Sequence, residues 1–250
     1  MPKDQPSQPA ATLGSLCREA PLTTQVIAIV VGEQALSLVH RDDSQSHIYP
    51  ARWSGLLAFS PGLGVLKGEA RIVSSVRNNL VKLQAFIDQA AAPAADSSAH
   101  SLASLPVPLE SLNGTKALER WYIAHALTNA DALAGFAGLL RRGESYRLVC
   151  FLLAQSAASE KLCSLARTYG VSTSHFRRLC HEALGGAAKP EMREWRTAQA
   201  LLAMARGKQS LTDVALEFGF ASSSHFSKEI RELVGVKPSS LIDITRLSSK

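Results

Sequence analysis

One phrase of residue types is written twice near the end of this chain, the copies offset by 49 residues at their first Leu and by 50 at their closing Phe. The first runs Leu162-x3-Ala166-x3-Gly170-Val171-Ser172-x2-His175-Phe176. The second runs Leu211-x3-Ala215-x3-Gly219-Phe220-x4-His225-Phe226. Each copy predicts a short helix, a tight turn and a second helix crossing the first at roughly 100°. Such a crossing needs a small residue where the two backbones meet, which is Ala166 in one copy and Ala215 in the other. The turn needs a positive φ, which glycine adopts without steric cost, hence Gly170 and Gly219. Phe176 and Phe226 are the apolar anchors that hold each second helix on its core, and Leu162 belongs to the motif core. Ser172 and Ser222 stand where an N-cap is required.

The surrounding pattern fills in an all-helical segment. Tyr146–Ser156 is apolar enough to be a core helix. Lys161–Tyr169 and Thr173–Leu184 form the first unit. Glu191–Arg206 predicts a longer connecting helix, with Pro190 in its first turn, where a missing N–H does no harm. Ser210 and Asp213 have the spacing of a capping box opening Leu211–Phe218. Ser222–Leu233 completes the second unit, and Pro238 starts a last short helix to about Thr245.

Charge is distributed unevenly. Residues 1–144 hold 12 Lys and Arg against 12 Asp and Glu, whereas residues 145–250 hold 15 against 9. The whole excess of +6 therefore lies in the part that carries the repeat. A basic half joined to a neutral half points to a polyanionic partner. The major groove of duplex DNA admits one α-helix. Two recognition helices on one face of the duplex must stand about 34 Å apart. A stiff connecting helix such as Glu191–Arg206 suits that spacing.

The first half is of another kind. Residues 1–20 are polar and Pro-containing and are expected to be a flexible leader. From about residue 22 short β-branched and apolar runs follow one another: Val26–Val31, Ala35–Val39, His47–Tyr49, Leu56–Phe59, Val65–Leu66 and Ala70–Val73. Gly, Pro, Asp and Ser separate them. These predict a small barrel or sandwich. Val76, Leu80, Leu83 and Ile87 recur at helical spacing. Ala91–Pro108, rich in Ala, Ser and Pro, is expected to be a linker or long loop. Residues 109–142 return to helix, with Trp121, Tyr122, Phe136, Leu139 and Leu140 buried; Arg141-Arg142-Gly143 ends that stretch. This helical part either completes the first core or offers a dimer or partner face. The expected fold is α+β: a small β-rich and helical N-terminal domain at 21–143, then an all-α domain at 144–250 with two helix-turn-helix units joined by a long helix.

No enzyme chemistry is legible. Gly62-x-Gly64-x3-Gly68 lacks the Gly-Lys-Ser/Thr of a phosphate loop. Glu33, Asp42, Asp43 and Glu69 form no acid–base pair. The cysteines at 17, 150, 163 and 180 make no CxxC and no zinc-ligand spacing, so neither metal nor cofactor is expected. Cys150, Cys163 and Cys180 read as small buried thiols of a reducing, cytoplasmic setting, and Cys17 as a loose one in the leader. The first 11 residues lack the apolar stretch of a signal peptide, and no apolar run is long enough for a membrane.

Residues 145–241, about two-fifths of the chain, resemble the DNA-binding domain of AraC/XylS-family transcription regulators. The resemblance stands on Leu162, Ala166, Gly170-Val171-Ser172 and His175-Phe176-Arg177-Arg178; on Arg196 and Ala200; and on Ala215, Gly219-Phe220, Ser224-His225-Phe226 and Gly235-Val236-x-Pro238. Cys180 and Ile230 replace the usual Phe, and Leu241-Ile242 the usual Tyr-Arg. Carried over by position, the residues implied to meet DNA are Thr173, Ser174, Arg177 and Arg178 in the first unit and Ser222, Ser223, Ser224 and Lys228 in the second. Arg pairs bidentately with guanine, so Arg177 or Arg178 is the expected base reader and the other a phosphate contact. His175 and His225 are expected to pack beside the anchors, and Lys161, Arg167, Lys208 and Arg231 to be generic phosphate or solvated charges. The resemblance implies promoter DNA and RNA polymerase as partners and activation as the outcome. The neutral β-rich first half is similar to that of members activating type III secretion genes, several of which use a secretion chaperone as coactivator. A homodimer, and a small-molecule sensor with ligand near His40, His47, Tyr49 and Trp53, stay open.

Overall fold

The computed structural model describes residues 12–19, 23–43, 45–90, 101–156, 160–206 and 210–236. The chain divides into two compact units, Met1–Arg147 and Leu148–Lys250.

In the first unit, seven strands make two antiparallel sheets. They are β1 (Gln25–Val31), β2 (Leu36–His40), β3 (Ser46–Tyr49), β4 (Ser54–Phe59), β5 (Leu63–Lys67), β6 (Ala70–Ser75) and β7 (Leu102–Pro106). The larger sheet has the order β6-β1-β4-β7 and the smaller β3-β2-β5. Strand β1 is apolar at nearly every position because both its faces are covered. Ile27, Ile29 and Val31 join Leu36, Leu38, Leu57 and Phe59 in the core between the sheets. Val26 and Ala28, on the opposite face, are fully buried too, and helix α2 (Arg77–Ala90) packs on this strand. Alternation therefore fails where a strand is sandwiched.

Part of the expected flexible leader is helical. Leu13–Arg18 forms a helix, α1, capped by the Thr12 hydroxyl, which accepts from the Ser15 N–H. Leu13 is fully buried, and Leu16 and Cys17 pack on the same core at i+3 and i+4. Burial pushes the Cys17 thiol up, against the opposing effect of Arg18, so this cysteine is a packing residue. Thr12 also bridges to Arg71 of β6.

The expected linker is corrected as well: Leu102–Pro106 is a strand, paired along β4 from Phe59↔Leu102 to Gly55↔Pro106. Leu102 and Leu105 are buried there, and Pro106 sits at the end of an edge strand, where a missing N–H is tolerated. Residues 91–100 lie outside the described residues. The helical stretch that follows is broken. A 3-10 turn at Leu109–Leu112 precedes α3 (Thr115–Thr128) and α4 (Ala130–Arg142), which meet at Asn129 with a 119° bend. Tyr122, Phe136, Leu139 and Leu140 are buried as expected. Trp121 is half-buried and stacks on His125 at 4.8 Å. Helix α4 packs on β4, β7 and α2, so this segment completes the core.

A buried polar network ties these helices together. Arg141 grips the Asp88 carboxylate with two hydrogen bonds, of 2.9 and 2.8 Å. Tyr146 and Gln84 donate to the same group at 2.6 and 2.9 Å, and the Tyr122 hydroxyl donates to Gln84 at 2.7 Å. Burial would raise the Asp88 pKa, but the donors from Arg141, Tyr146 and Gln84 hold it below the usual carboxylate range.

Of the four residues considered for a ligand pocket, three are packed and His47 meets a carboxylate. His40 is fully buried and meets both the hydroxyl and the carbonyl of Ser60. His47 lies 3.0 Å from Asp43. Tyr49 is buried against half-buried Trp53, with ring centres 4.8 Å apart.

The second unit is helical: α5 (Glu144–Gln155, shared across the division), α6 (Leu162–Tyr169), α7 (Thr173–Leu184), α8 (Ala188–Arg206), α9 (Leu211–Glu217) and α10 (Ser223–Val234). The helix expected after Pro238 lies outside the described residues. Among the described residues, no single helix is long and apolar enough to cross a membrane, and no His, Cys, Asp and Glu group could hold a metal ion.

Candidate nucleic-acid interface

The two copies of the repeated phrase fold alike. In the first, Leu165 and Ala166 are buried on α6, and Gly170 ends that helix at φ 86°. A Cβ at Gly170 would meet nothing within 4 Å, so the glycine is there for its backbone angle and not for space. The Val171 N–H then returns to the Ala166 carbonyl at 3.0 Å. In the second, Val214 and Ala215 are buried on α9, Gly219 takes φ 68°, and the Phe220 N–H returns to the Ala215 carbonyl at 2.8 Å. The same turn is thus closed by the same bond at matched positions.

Entry into each second helix is also duplicated. The Ser172 hydroxyl accepts from the His175 N–H at 3.2 Å, and the Ser222 hydroxyl from the His225 N–H at 3.1 Å. Ser210 and Asp213 form the full capping box that opens α9. Phe176 and Phe226 are both fully buried. Phe176 packs among Tyr169 and Phe151, with ring centres 5.6 and 6.2 Å away. Phe226 lies 4.7 Å from Phe220, in a cluster with Ala200, Met204, Val214 and Ile230. Leu162 is only half-buried, and Leu165 takes the fully buried place on α6. Because Ala166 is 1% exposed, Ala166→Leu is expected to force α6 and α7 apart at a cost of about 1–3 kcal/mol. A melting curve of the variant that overlays the wild type would contradict the assigned contact.

These anchors fix which side chains face outward. On α7, Ser174, Arg177 and Arg178 are exposed and Thr173 is half-buried. Among the described residues, no carboxylate lies within ion-pair distance of Arg177 or Arg178. On α10, Ser222, Ser224 and Lys228 are exposed and Ser223 is half-buried. Lys228 lies 3.8 Å from Glu232, so part of its charge is already matched. The outward face of α7 is therefore the more cationic of the two. Lys161, Arg167 and Arg231 are exposed, and Lys208 lies outside the described residues.

Two expectations are overturned. His175 is exposed instead of packed, because it stands one residue before its Phe anchor and about 100° from it around the helix; His225 is exposed too, yet its ring still meets Phe220 edge-on. The cysteines are not uniformly buried: Cys163 is exposed, Cys150 half-buried and Cys180 buried. Burial pushes the Cys180 thiol up to about 11.

The sequence did not reveal how α8 holds the second unit. Trp195, Ala200 and Met204 are buried, and the Arg196 guanidinium lies 4.7 Å over the Phe220 ring. Burial lowers the Arg196 pKa, opposed by Glu229. Arg196 already stood among the residues of the resemblance, but its ring partner is legible only in three dimensions.

Residues 165–243 match the helix-turn-helix domain family. The invasion protein InvF of Salmonella typhimurium is 47% identical over 135 residues, 54% of this chain and 62% of InvF. The chain thus spans about three-fifths of the length of that relative. The transcriptional regulator MxiE of Shigella flexneri is 33% identical over 143 residues, 56% of this chain and 68% of MxiE. Among solved structures, ToxT of Vibrio cholerae aligns over 90% of this chain and 95% of its own, at 12% identity and a TM-score of 0.38. With its twin capped turns in place and two thirds of MxiE matched, the chain belongs to the AraC family of helix-turn-helix transcription regulators.

Proposed function

We propose that this chain is a transcription activator that grips promoter DNA at two successive major-groove segments, one taken by α7 and the other by α10. The observation that carries this is the duplicated turn: equal closing bonds, equal serine caps, and an outward row of small polar and cationic side chains on each second helix. Arg177 and Arg178 supply one base reader and one phosphate contact, and the serines supply permissive contacts and helix N-terminal donors. With fewer unmatched cations on α10, most sequence discrimination rests on α7.

Promoter binding serves activation by bringing RNA polymerase to a nearby start site. The first unit acts as the regulatory half, and its partner is a protein, in the type III secretion setting a chaperone coactivator.

The test is binding of the full chain to duplexes that it selects from a random pool, measured by fluorescence anisotropy at several salt concentrations. Affinity is expected to fall steeply as salt rises, because phosphate contacts release counterions. Arg177→Ala is expected to cost about 1–3 kcal/mol on the selected site and much less on random duplex if Arg177 reads a base. Equal losses on both assign Arg177 to phosphate; salt-independent binding contradicts the whole proposal.

A further inference from the structure

Glu229, on α10, carries a buried carboxylate, only 8% of the residue being exposed. It faces basic side chains from two directions. Arg193 Nε of α8 lies 3.4 Å from one of its oxygens, and His225 Nε2, one turn earlier on α10, lies 3.4 Å from the other. Arg196 adds a second guanidinium near Glu229, and it also covers Phe220. The His225 ring in turn meets Phe220 edge-on, with centres 5.9 Å apart. A carboxylate withdrawn from water costs several kcal/mol unless cations and donors compensate it, and replacing such a pair by apolar groups is often neutral or better. Stability alone therefore gives little reason for a charge here.

Its consequence is geometric. The apolar contacts between α8 and α10, among them Ala200, Met204, Phe226 and Ile230, are non-directional and tolerate sliding. A buried carboxylate is approached by both Arg193 and His225 only near the placement seen here. That placement fixes both the lean of α10 on the connecting helix and the direction of His225, which sits between Ser224 and Lys228 on the outward face.

We propose that Glu229 is a positioning residue for DNA reading: by clasping Arg193 and His225 it sets α10 at the angle at which the second groove segment is contacted. This rests on the two-segment proposal above. The test uses the full chain carrying Glu229→Gln, Arg193→Ala, or both, on selected duplex DNA. Hydroxyl-radical footprints score each segment separately, and melting curves report the fold. Each single variant is expected to weaken protection of the α10 segment by about tenfold, and the double variant by no more than the weaker single, as residues of one network behave. Protection of the α7 segment should stay within about twofold, a split that general loss of structure would not produce. Should Glu229→Gln melt at a much lower temperature, Arg193→Ala carries the test, its side chain being 53% exposed. Equal weakening of both segments, additive losses, or no change overturns the clasp while leaving two-segment binding intact. A single protected segment with the unaltered protein overturns both.

Discussion

Truncating Phe226 to alanine is expected to destabilise the second helix-turn-helix by about 3–5 kcal/mol. The ring is fully buried and lies tilted 4.7 Å from Phe220, in a cluster closed by Ala200, Met204, Val214, Ala215 and Ile230. Those neighbours come from α8, α9 and α10, so the void opens where three helices meet and cannot collapse by moving one of them. Against a typical domain stability of about 5–15 kcal/mol, such a loss is a large fraction of the total. Phe176 stands apart, among Tyr169 and Phe151. The variant should therefore lose protection of the α10 segment first. Thermal melts with footprints decide this; a loss below about 1 kcal/mol would show that Phe226 is not the anchor assigned to it.

Asp88→Ala is expected to be as damaging to the first unit, by about 3–5 kcal/mol, because removing one partner of a buried ion pair leaves the other uncompensated. Arg141, 15% exposed, would face that vacancy together with the Tyr146 hydroxyl and Gln84. The same group predicts an acid dependence. Its pKa in the folded chain lies below the ordinary carboxylate value of about 3.9. Its stabilising contribution is thus complete at neutral pH and is lost as pH falls through the folded value. Melting curves taken from neutral to strongly acidic pH should show a steeper acid decline for the unaltered chain than for Asp88→Asn. Parallel declines would contradict the network's role.

How legible each part was follows from the range of the interactions that build it. A helix-turn-helix is fixed by residues within about 15 positions of one another, each type set by a local need. Gly170 supplies a positive φ, Ala166 a close approach and Ser172 a cap, so a sequence carrying all three twice announces the fold. The strands of the first unit were legible for the same reason, through turn residues at short intervals. What escaped depends on partners far along the chain. Asp88 meets Arg141 and Tyr146 at separations of 53 and 58 residues, and β7 is a strand only because β4 offers it an edge. Helix α1 was hidden by averaging Leu13, Leu16 and Cys17 into a polar leader. The Glu229 clasp was hidden because an acidic residue on a recognition helix looks like a solvated charge until Arg193 is placed beside it. The outward direction of His175 and His225 was recoverable in principle by tracing the helix angle from each Phe.

The most direct test of a two-segment grip is a hydroxyl-radical footprint of the full chain on a duplex it has selected. Two protected stretches are expected on one face of the helix, centred about 10 base pairs apart. A single protected stretch, or two on opposite faces, would contradict that grip.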